Sequence, residues 1–160
     1  MNGWMAAGTA VLLCGVPAGW AAATGPVRRR VIAQNATTTL LGLAVLLLAQ
    51  GFARPAYQDP ALLLAVLGPA GTLLYVRLLA DALAAGPPPG RALRAVTWCT
   101  YAAVPLVVAP LCVAAGPGRA LAKLLVIGGL LALGSWVAGR AVTAASGGGR
   151  GAPAGGTGDV

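Results

Sequence analysis

Residues 58–79 read QDPALLLAVLGPAGTLLYVRLL, and the reading of this stretch decides the fold. It is apolar for long enough to cross a bilayer as a helix, because a hydrocarbon core of ~30 Å takes ~20 helical residues. Yet it opens on Asp59-Pro60, carries Gly68, Pro69, Gly71 and Thr72 at its middle, and places Arg77 near its far end. Lipid penalises ionised and backbone-breaking residues unless neighbouring helices or water satisfy them. The polar and small residues therefore either mark helix ends and packing contacts or belong to a site.

The rest of the chain settles the environment. Of 160 residues, 58% are hydrophobic and 9% charged, with a mean hydropathy of +0.83. A soluble domain carries roughly a quarter of its residues as Asp, Glu, Lys or Arg. The composition predicts an all-α, polytopic transmembrane protein of about five helices. The net charge is +8, but the basic residues lie between apolar runs rather than along one stripe with aromatics, which argues against a nucleic-acid partner. There is no His and no Glu. Ser-His-Asp and Cys-His nucleophiles, Glu-based glycoside chemistry and His-bearing metal sites are thereby excluded, so neither an enzyme nor a cofactor is implied. Cys14, Cys99 and Cys112 sit inside apolar runs without a C-x-x-C spacing and read as small lipid- or helix-facing residues.

The predicted spans are residues 4–24, 31–52, 61–80, 95–115 and 120–143. They are separated by TGPVRRR, GFARPAYQDP, GPPPGRALR and GPGRALAK, each mixing Pro or Gly with charge. Residues 83–94 form a Pro/Gly linker, and the Gly-rich stretch 144–160 predicts a disordered tail. The first span lacks basic residues ahead of its apolar run and so reads as a spanning helix rather than a cleaved signal. Trp4 and Trp20, about 24 Å apart on a helix, suit two interfacial aromatic belts. With the N-terminus outside, Arg28, Arg29, Arg30, Arg77, Arg91, Arg94, Arg140 and Arg150 fall on the inner side and Arg54, Arg119 and Lys123 outside, as the positive-inside rule asks. The two charges of GPGRALAK run against it. Gly15-x-x-x-Gly19 and Ser135-x-x-x-Gly139 offer close helix contacts.

Three polar groups stand inside or beside the predicted membrane. Asp59 before Pro60 is what a helix start requires, a carboxylate on free N–H groups followed by a residue without one; a lone carboxylate there could equally form the mouth of a cation or proton route. In RRRVIAQNATTT, residues 28–39, the row Arg30, Gln34, Thr38 shares one face of the second helix and Asn35, Thr39 the next. Such a stripe is interhelical glue or one wall of a water-lined path. Arg77 and Asp81, four apart, predict an interfacial salt bridge. At Pro69 the helix should kink, with Gly68 and Gly71 admitting a neighbour and Thr72 bonding a freed carbonyl.

GPVRRRVIAQN, followed by YQDPALLLAVLGPAGTLLYVRLL, resembles the small three-helix F subunit of multisubunit Mrp-type (Mnh-type) monovalent cation/proton antiporters. Gly25-Pro26, Arg30-Val31, Asp59, Ala61-Leu62, Gly68, Gly71-Thr72 and Arg77 fall in register with that family's pattern. Where the family has acidic residues this chain has Arg29 and Asn35, and where it has Phe this chain has Pro69. An amide at Asn35 hydrogen-bonds but cannot titrate. The resemblance covers residues 1 to about 82. LLVIGGLLALGSWVAGRAVTAA faintly resembles the last helix of the same antiporter's G subunit, although the motif that would establish a fusion is missing.

The resemblance implies a three-helix unit over 1–82, with two further helices over 95–143, in the bacterial cytoplasmic membrane. Its partners would be other antiporter subunits and membrane lipid, and the transported species of the complex would be a monovalent cation and the proton. Asp59, Thr72, Asn35, Gln34, Arg30 and Arg77 are the candidate ion-path or interhelical polar residues, and Gly68, Pro69 and Gly71 the candidate kink and packing positions. The competing reading is a stand-alone membrane scaffold or assembly protein with an F-like fold and no transport role.

Overall fold

The computed structural model describes residues 2–85 and 90–147. Its helices are α1 (Gly3–Ala23), α2 (Val27–Gly51), α3 (Gln58–Leu78), the short α4 (Ala80–Ala84), α5 (Arg91–Ala115) and α6 (Arg119–Gly147), with a 3-10 turn at Pro55–Tyr57. Five of these are long and apolar enough to cross a membrane, and each overlies one of the predicted spans. α6 continues through residues 144–147, where the tail was expected to begin. The remainder of that tail and residues 86–89 of the linker lie outside the described residues.

The helices form a bundle around α2, in which α3 and α6 run in the same direction. α1 packs on α2, and α2 also touches α3, α5 and α6; α3 and α5 each pack on α6. Half of the apolar window of α2 is buried, against 6% for α1. Leu43, Leu46 and Leu47 of α2 meet Ala61 and Ala65 of α3, Val104, Val108 and Leu111 of α5, and Leu124, Ile127 and Leu131 of α6. The predicted three-helix unit and the two further helices thus share one core. On α6 the buried residues recur at helical spacing, Leu124, Ile127, Leu131, Ser135, Ala138, Val142. One stripe faces the bundle, and the other carries exposed Leu125, Val126 and Leu133. Outward-facing leucines on α3, among them Leu63, Leu67 and Leu74, give the same surface. Bilayer hydrocarbon covers such faces at no cost, whereas water would not.

Between apolar helices in lipid, close packing supplies much of the attraction, and small residues let backbones approach. Gly8 admits Leu48, Gly68 admits Thr38, Gly128 admits Val108 and Gly139 admits the Tyr101 hydroxyl. Gly134 faces the ring of Pro69 at the crossing of α3 and α6. Gly15 and Gly19 face Leu40 and Thr37 across the α1–α2 contact. A methyl added at Gly71 would meet no atom within 4 Å, so no neighbour uses the space this glycine leaves. Two links need glycine for its backbone: Gly25 at φ 100° turns α1 into α2, and Gly116 at φ 65° turns α5 into α6.

Candidate functional site: the polar seam of the bundle

The two polar rows of α2 go to different places. On one, Thr39 Oγ1 donates to the Asn35 carbonyl at 2.8 Å and lies 3.3 Å from Ser135 Oγ of α6. Because the Thr39 hydrogen is already committed, Ser135 is the donor across that gap. Tyr101 of α5 donates to the Ser135 carbonyl at 2.9 Å. A cavity of about 20 Å³ opens here, lined by Asn35, Thr72, Thr97, Thr100, Tyr101 and Ser135 among others. Asn35 Oδ1 is buried with no hydrogen-bond partner. Four helices therefore bring Asn35 and Thr72 together, and the hydroxyls of Thr97, Thr100, Tyr101 and Ser135 are members that sequence reading missed. Only Ser135 carried a signal, as the small residue of Ser135-x-x-x-Gly139.

On the other row, Thr38 sits under Gly68, where the backbones of α2 and α3 cross. Arg30 and Gln34 are exposed and line a cleft of about 240 Å³ with Ala22, Val27, Tyr75 and Leu79. They do not join Asn35. The middle of α3 also differs from expectation in one bond: Pro69 leaves the Ala65 carbonyl without its helical donor, yet the Thr72 hydroxyl donates to Gly68 at 3.0 Å. From Thr72 the Gly68 carbonyl is the one within reach, one turn back along the same helix.

Asp59 is not the cap of α3. The 3-10 turn runs straight into the helix, which starts at Gln58 with Tyr57 in the cap position and no side-chain cap bond. Asp59 lies too far inside the first turn to act as cap. Its Oδ1 instead accepts from Lys123 Nζ of α6 at 3.0 Å, and both side chains are more than half exposed. The pair lies in an open cleft of about 310 Å³ with Leu62, Arg119 and Val126. This contact answers the anomaly of GPGRALAK, since one of its two charges is matched by a carboxylate at the same end of the bundle. Along α3, residues 59 and 72 are roughly 20 Å apart, so Asp59 and the Asn35 cavity are separate places.

The expected Arg77–Asp81 bridge is absent. α3 stops at Leu78, and Leu79 turns the chain out of helical geometry at φ −114° and ψ 24°, which breaks the one-turn register the pair needs. Among the described residues the ion pair is Lys123–Asp59. Sequence reading also passed over Arg28. It is buried, and its Nη2 donates to the Leu83 carbonyl of α4 at 2.7 Å. The signal lay in the run itself: successive helical residues step ~100° around the axis, so three arginines in a row cannot all face the same way.

The length and the apolar faces of the helices define the class as a multi-pass, all-α membrane protein. Residues 29–80 match the family model described as Multiple resistance and pH regulation protein F (MrpF / PhaF), about a third of the chain. The matched stretch runs from the arginine run through α2 and α3 and includes Asn35, Asp59 and Thr72; it does not reach α5 or α6. No curated protein and no solved structure matches the chain.

Proposed function

We propose that the chain is an accessory subunit of a multisubunit monovalent cation/proton antiporter in the bacterial cytoplasmic membrane, with its N-terminus outside. The match of residues 29–80 to the F-subunit family carries this reading. The bundle suits an accessory role. Its described carboxylates, Asp59 and Asp81, stand at helix ends, and the buried polar residues are Arg28, Gln58, Thr39, Thr72, Thr100 and Ser135, with no carboxylate among them. Translocation would then depend on charged residues of the larger subunits. This chain would supply helix faces to them and, at the Asp59–Lys123 cleft, a polar margin to the route taken by the cation or proton. Arg30, Gln34 and Arg77 would stand at the opposite end, toward the cytoplasm.

Purification of the tagged chain in mild detergent tests the proposal. Co-purification of antiporter-type large subunits, with loss of cation-dependent proton flux in vesicles when the gene is deleted, is the expected result. Recovery of the chain alone from a strain whose antiport is unchanged by the deletion would favour the scaffold reading.

A further inference from the structure

Every hydroxyl around the Asn35 cavity has already spent its hydrogen. Thr72 donates to Gly68 O, Thr97 to Leu93 O, Thr100 to Val96 O and Tyr101 to Ser135 O. Ser135 donates to Thr39, whose own hydrogen goes to Asn35 O. What these side chains retain toward the cavity is acceptor lone pairs. To them is added Asn35 Oδ1, a buried acceptor without a partner. A buried unpaired acceptor costs ~1–3 kcal/mol, so the arrangement calls for a small donor. The volume of about 20 Å³ exceeds the ~10–15 Å³ that one water needs. No carboxylate lines it, and a bare cation in such a place would lack the countercharge that burial demands.

We propose that the cavity is a binding site for one neutral water molecule, which donates to Asn35 Oδ1 and to a hydroxyl oxygen of α5 or α6. Part of its wall, including Asn35 and Thr72, comes from the family-matched segment, and the larger part from the two added helices. The water thus ties α5 and α6 to the F-type core by hydrogen bonds that the direct contacts leave unmade. Because the lining hydroxyls donate to backbone carbonyls or, for Ser135, to the Thr39 hydroxyl oxygen, the water gives hydrogens to the wall and takes none from its hydroxyls. A proton could pass through only by breaking one of those bonds.

Radiolytic hydroxyl labelling of the purified full chain in detergent, read by mass spectrometry, tests this, because Tyr101 lines the cavity and lies within a predicted membrane span, where detergent covers the outward face. Tyr101 should be oxidised in the wild type, and the labelling should be lost in Asn35→Leu, which removes the acceptor and fills the space. Thr100→Val, which keeps the shape and removes one hydroxyl, should reduce it while Tyr57 and Tyr75 label as before in both variants. Absence of Tyr101 oxidation in the wild type at a dose that labels Tyr57 and Tyr75 would overturn the proposal. So would labelling that persists unchanged in folded Asn35→Leu.

Discussion

Gly134→Ala adds one methyl group at the crossing of α3 and α6, and its cost follows from the geometry there. A Cβ built on Gly134 would stand 2.9 Å from Pro69 Cβ and nearer still to its Cγ. The pyrrolidine ring has no rotamer by which to retreat, so the two backbones must separate. Overpacking of this kind costs ~1–3 kcal/mol, partly offset by the ~0.5–1 kcal/mol that alanine gains over glycine inside a helix. A net loss of about 0.5–2 kcal/mol is expected. Gly71→Ala adds the same atoms on α3, where nothing lies within 4 Å. It should therefore stabilise by ~0.5–1 kcal/mol. Reversible unfolding in mixed micelles, following helicity as the denaturing detergent fraction rises, measures both. Combining Gly134→Ala with Pro69→Ala should recover part of the loss, with a coupling energy of at least ~0.5 kcal/mol. If Gly134→Ala proved as stable as Gly71→Ala, the α3–α6 crossing described here would be wrong.

Arg28→Met should release α4 from α2, and limited proteolysis should then cut near residues 79–85 in the variant at doses the wild type survives, since a buried charge-assisted bond of ~1.5–3 kcal/mol is removed. Asp59→Asn breaks an ion pair that is mostly exposed. It should change unfolding stability by less than about 1 kcal/mol, while lowering cation-dependent proton flux in vesicles holding the assembled complex; unchanged flux would remove Asp59 from any route. Tyr57 is exposed next to the start of α3. With Cys14, Cys99 and Cys112 replaced, Tyr57→Cys should react with an impermeant maleimide on intact cells, and labelling only after lysis would reverse the orientation.

Hydropathy and punctuation were enough to place the spans. α1 at Gly3–Ala23 and α5 at Arg91–Ala115 differ from the predicted ranges by a few residues, because the ends are set by Gly, Pro and charge that any reader of the chain can see. The long-range pairings were not legible, and the reason is geometric. Lys123 lies 64 residues from Asp59, and nothing in either local sequence says that α3 and α6 run side by side. The same holds for Tyr101 and Ser135, which meet across α5 and α6 at the cavity wall. Rows on one helix could be read, as with Asn35 and Thr39, but a row says which residues share a face and not what the face meets. The Arg77–Asp81 expectation failed on a different point, since four-residue spacing has meaning only where the helix continues between the two residues, and here it stops at Leu78.

The placement of α2 at the centre has a consequence for synthesis. The ribosome delivers α2 second, yet the Ser135 hydroxyl that meets Thr39 arrives with the last helix. Until then Asn35 and Thr39 must face lipid, or whatever insertion machinery holds the nascent chain. Thr39 tolerates the wait because its hydrogen is already turned back onto its own helix, whereas the amide of Asn35 has no such refuge. Truncation after α4 would leave that amide permanently unsheltered, so quality-control proteases should recognise the shortened product by its second helix.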